Sequence, residues 1–89
     1  MMMTGYEFKE FFNDKAEEAR ENMDTELGAL YARMAEYSDG NAKLLTSLNQ
    51  MSGERMLAML SDNLDFEEEF YPASTVNTVH ETLVTMFDE

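Results

Sequence analysis

Between Gly5 and Phe87 the apolar residues of this chain fall mostly at three- and four-residue spacing, in segments broken at Ser38–Asn41, at Ser52-Gly53 and at the single proline, Pro72. That spacing gathers side chains on one side of a helix turning about 100° per residue, whereas a half-buried strand would alternate them. The chain therefore reads as a series of amphipathic helices. With 89 residues and no cysteine, its stability must come from helix packing or oligomerisation, without disulfides.

Along the chain, Thr4 and Glu7 form a capping-box pattern that opens a helix over about 5–23. Its core face is Phe8, Phe11, Phe12, Ala16, Ala19 and Met23. A second helix is expected from Asp24 or Thr25, with Leu27, Leu30, Tyr31, Met34 and Tyr37 or Ser38 at helical spacing. Gly40 is placed to cap its C-terminus and Asn41 to cap the next helix, which carries Leu44, Leu45, Leu48 and Met51. Ser52 is the expected N-cap of a fourth helix with Met56, Leu57, Met59 and Leu60. That helix either ends at Asp62-Asn63 or continues to Tyr71, since Pro72 cannot extend it. The last segment, 74–87, is rich in Thr and Val, which favour strands. Its apolar positions Val76, Val79, Leu83, Met86 and Phe87 keep the helical period, which outweighs composition, with Ser74 or Thr75 as cap. The expectation is one all-α domain over 1–89, a small bundle of four to five short helices.

Charge narrows the function. The net charge is −13. Up to Arg55 there are eleven acids and six bases; from Met56 onward there are eight acids and neither Lys nor Arg. Such a chain repels nucleic acid and anionic membranes, so direct contact with either is not expected. No stretch approaches the roughly 20 apolar residues of a spanning helix, and the N-terminus lacks a signal-peptide pattern, so a cytoplasmic location is expected.

Two acidic surfaces are candidates for binding a basic partner. Glu7, Glu10, Asp14, Glu17 and Glu21 align as a stripe on the first helix, with about 5 Å of axis between neighbours. Duplex DNA carries a charge about every 1.7 Å of axis, so one stripe is a sparse phosphate mimic and two side by side, as in a homodimer, come closer. Lys9, Lys15 and Arg20 offset part of this charge, and a plainly solvated face is the competing explanation. The second surface is Asp62, Asp65, Glu67, Glu68 and Glu69, with no base nearby in sequence and with Phe66, Phe70 and Tyr71 interleaved. Aromatic anchors within complementary charge suit an interface, although Phe66 and Phe70, four apart, would also fit a helix facing the core.

Specific chemistry finds little footing. An EF-hand loop opened at Asp62 would put Leu64 and Phe66 at ligand positions, and one opened at Asp39 would put Lys43 there. Asn77 stands where a di-iron bundle needs the Glu three before His80. No cofactor or metal is expected. His80 is the only histidine and fits a structural role beside the last apolar face; there is no phosphate-binding Gly-rich loop and no nucleophile elbow. Met51, Met56 and Met59 fit a helical core better than an adaptable binding patch.

The expectation is thus a non-enzymatic protein that blocks the basic surface of a partner, foremost a nucleic-acid-binding protein. By analogy of class alone, phage-encoded inhibitors that mimic DNA share this composition. The alternative is a self-associating structural or chaperone-like module whose acid serves solubility.

Overall fold

A computed structural model describes residues 5–38 and 42–88, the side chains of Ala42 and Asp88 excepted. Five α-helices follow one another: α1 (Gly5–Glu21), α2 (Thr25–Ser38), α3 (Ala42–Asn49), α4 (Gly53–Leu64) and α5 (Ala73–Asp88). A single 3₁₀ turn, Glu68–Phe70, lies between α4 and α5. This is the expected small all-α bundle, with no strand among the described residues. The expected caps Thr4, Gly40 and Asn41 lie outside those residues.

α2 is central and packs against each of the other four helices. Its buried residues Gly28, Leu30, Tyr31, Met34, Ala35 and Ser38 cover nearly half of its circumference, wider than the stripe of a helix with one wet face. Around it, Phe12, Leu45, Leu48, Met56, Leu60, Val79 and Leu83 are wholly buried. The methionine face of α4 is therefore core at Met56, while Met51 and Met59 pack half-buried against it. Phe8 of α1 stacks on Phe87 of α5, with centroids 5.4 Å apart.

The α1–α2 connection is tight because two capping devices share it. The Asp24 N–H donates to the Ala19 carbonyl at 2.9 Å and the Met23 N–H to the Arg20 carbonyl at 3.0 Å. This is the Schellman pattern, with Met23 in the left-handed conformation at φ 63°. Asp24 then caps α2, its Oδ1 accepting the Leu27 N–H at 3.2 Å. Sequence spacing carried the first helix to Met23 and put that side chain on the core face. The helix instead ends at Glu21 and Met23 is 89% exposed, because the residue that reverses the chain cannot also continue the helical face. Where α2 crosses α1 the backbones are close: a Cβ on Gly28 would lie 3.1 Å from the Ala16 carbonyl oxygen and 3.0 Å from Arg20 Cγ.

Ser52 caps α4 as expected, accepting the Arg55 N–H at 3.3 Å. α4 passes through Asp62-Asn63 and stops at Leu64, short of Tyr71. Asp65, left-handed at φ 55°, turns the chain out, and the Phe66 N–H reaches back to the Ser61 carbonyl. α5 begins directly after Pro72, whose carbonyl accepts the Val76 N–H at 3.1 Å. Neither Ser74 nor Thr75 is its cap: both are inside the first turn, and Pro72, whose carbonyl accepts the first intrahelical bond, stands at the N-cap. The threonines fit the helix by returning their hydroxyls to it. Thr78 Oγ1 donates to the Ser74 carbonyl and Thr82 Oγ1 to that of Thr78, both at 2.9 Å. With its hydrogen so used, Thr82 Oγ1 accepts from the Tyr31 hydroxyl at 2.9 Å, tying α5 to α2.

His80, beside the apolar face of α5, makes a bond between elements. Its Nε2 lies 2.7 Å from the Met51 carbonyl oxygen, which can only accept, so Nε2 carries the hydrogen. The bond fastens α5 to the α3–α4 junction.

Candidate functional site

On α1 the core residues Phe8, Phe12, Ala16 and Ala19 define the inner face. At about 100° per residue, Glu7, Glu10, Asp14, Glu17 and Glu21 centre on the opposite direction, so the stripe is the outermost face of the molecule on that side. All five are exposed. They span about 21 Å of helix axis. The same projection puts Lys9 and Arg20 on one flank of the stripe and Lys15 on the other, nearer the core than the acids are. Lys15 lies over the Phe11 ring, 5.6 Å from its centroid, on the flank where Phe11 is half-buried. The bases border the stripe without interrupting it.

The second surface follows α4. Asp62, Asp65, Glu67, Glu68 and Glu69 are all exposed. They do not form one helical face, because the chain leaves the α-helix at Asp65 and makes a 3₁₀ turn at 68–70. Asp65 has a backbone duty in ending α4, and Glu68 Oε1 accepts a hydrogen bond from Ser61 Oγ at 3.2 Å. Phe66 and Phe70 are not a core-facing helical pair. Phe66 is half-buried, and Phe70 is 74% exposed among the glutamates. Tyr71 is buried and meets Phe66 edge-on at 5.4 Å.

Sequence distance concealed one base near this segment. Arg33 of α2 lies over the Phe66 ring, its Cζ 4.8 Å from the ring centroid, and also pairs with Glu36 at 3.5 Å. It lies more than thirty positions away from Phe66, and only the packing of α2 against α4 joins the two.

The acidic stripe belongs to α1, which packs on α2 and α3, and the second surface to the end of α4, so the bundle presents them from different elements. A shallow hollow beside the stripe is lined by Tyr6, Lys9, Glu10 and Asn13, a mixed polar set with no convergent catalytic grouping. Among the described residues no three His, Asp or Glu side chains are grouped to hold a metal ion, and no helix is long and apolar enough to cross a membrane. Comparison with known protein families, with characterised proteins and with solved structures finds no match to this chain.

Proposed function

We propose that the protein is a non-enzymatic interaction protein that binds and blocks a basic surface of a partner, foremost the nucleic-acid site of a nucleic-acid-binding protein. The outward face of α1 carries the reading: five exposed carboxylates in line, with the helix's bases displaced to its flanks. A face on which acids outnumber bases in this way is negative overall, which steers a basic partner and fixes its register. The segment after α4 adds a second contact, with exposed Phe70 as an apolar side chain within a ring of acid. Interfaces commonly join an aromatic anchor to complementary charge in this way. One stripe is about a third as dense in charge as a duplex, so doubling it in a symmetric homodimer would improve the mimicry.

The alternative, self-association through Phe and Met faces, has less to draw on. Phe8, Phe12, Met34 and Met56 are all occupied in the core.

The test is binding to the partner captured from the native cell, measured with the double variant Glu67→Lys/Glu68→Lys and with Glu10→Lys/Asp14→Lys. Both sites are exposed, so helicity is expected to be retained while binding weakens at least tenfold, about 1.4 kcal/mol. Binding that survives both reversals but is lost with Phe70→Ala would mean the contact is apolar and the acid serves only solubility.

A further inference from the structure

The acidic segment after α4 is fastened to the bundle by a residue outside it. Arg33 lies over one face of the Phe66 ring at 4.8 Å, and the edge-on contact of Phe66 with Tyr71, at 85° between ring planes, links the ring to a buried side chain. Both ends of the stretch 66–71 are thereby held, while Glu67, Glu68, Glu69 and Phe70 between them stay exposed. Hydrogen bonds add to the frame: the Phe70 and Tyr71 N–H groups donate to the carbonyls of Glu67 and Glu68, and Ser61 Oγ donates to Glu68 Oε1. Arginine suits this place better than lysine, because its planar guanidinium stacks on an aromatic face while still reaching Glu36.

We propose that Arg33 is a positioning residue: by its cation–π contact with Phe66 it presets the path of 67–70 and so preforms the acidic surface around Phe70. Its purpose rests on the reading of that surface as a docking site, since a segment already ordered loses less conformational entropy on association than one that orders on contact. Its mechanism does not, and the test needs no partner.

Backbone ¹⁵N order parameters are measured on the full chain for wild type, Arg33→Met and Arg33→Lys. In the wild type, Glu67–Phe70 should approach the value of about 0.85 typical of rigid backbone. In Arg33→Met they should fall below about 0.6 while Val79 and Leu83 of α5 stay unchanged, and Arg33→Lys should lie between, keeping the charge without the planar stack. Equal values at 67–70 in wild type and Arg33→Met overturn the proposal. So does an equal fall in α5, which would make Arg33 a general stability contact. Either result leaves the docking reading to be judged by the charge reversals at Glu67 and Glu68.

Discussion

Met23 holds a left-handed backbone position that glycine occupies in most helices ending this way, and its side chain gains nothing in return at 89% exposure. A Cβ in that conformation costs about 1 kcal/mol or more. Met23→Gly should therefore raise the unfolding free energy by about 1 kcal/mol in urea denaturation, with α1 and α2 unchanged. A loss of stability would mean that the exposed side chain makes a contact worth more than the strain. Asp24, next to it, serves both helices at once, and Asp24→Ala should cost about 1 kcal/mol through the lost cap alone. Asp65 shows how a residue can carry two meanings. Its charge places it in the acidic surface and its φ of 55° makes it the terminator of α4, so Asp65→Asn should keep the turn and remove only the charge. A clear destabilisation of that variant would tie the carboxylate itself to the fold.

The helices differ in how much of them local pattern could disclose. α5 was legible despite its threonines and valines, because Val76, Val79, Leu83 and Met86 must share a face and only the helical period gives them one. α4 was legible at its start, where Ser52 caps a helix beginning at glycine, but not at its end. Asp62 and Asn63 suggested a stop, yet the helix runs to Leu64, where that apolar side chain still finds the core. The stripe on α1 was equally readable, since spacing alone fixes it. The seat of Phe66 and the exposure of Phe70 were not, because both depend on Arg33 and Tyr71 and on the 3₁₀ turn, none of which a periodicity reveals. The α1–α2 crossing is another long-range fact: Gly28 lets the two backbones approach, so Gly28→Val should destabilise by about 2 kcal/mol as the β-branched side chain meets the Ala16 carbonyl. Thermal melts would check this, and an unchanged melting temperature would show that α2 shifts freely along α1.

For the whole molecule, the question is how a chain of net charge −13 folds at all within extents of 31 × 27 × 21 Å. Its radius of gyration of 11.8 Å matches the value of about 12 Å expected of a folded chain this long. The carboxylates of the described side chains are outside and the core is almost wholly apolar, so repulsion is a surface term opposed by burial. At 0.01 M salt the screening length of about 30 Å spans the molecule, and at 1 M it is about 3 Å. The melting temperature should therefore rise with sodium chloride, by at least about 4 °C if screening relieves 1 kcal/mol. A salt-independent melt would mean that the acids are already locally compensated.

The same screening bears on binding, with the opposite sign. Competition of the acid on α1 and after α4 for a basic site, as proposed above, is read by titrating this protein into a complex of its captured partner with fluorescently labelled duplex DNA, at about 0.05 M and about 0.5 M salt. The wild type should displace the DNA at low salt, and Glu67→Lys/Glu68→Lys should do so at least tenfold less well. Simultaneous binding of protein and DNA to the partner, or displacement unchanged by the charge reversal, would contradict it.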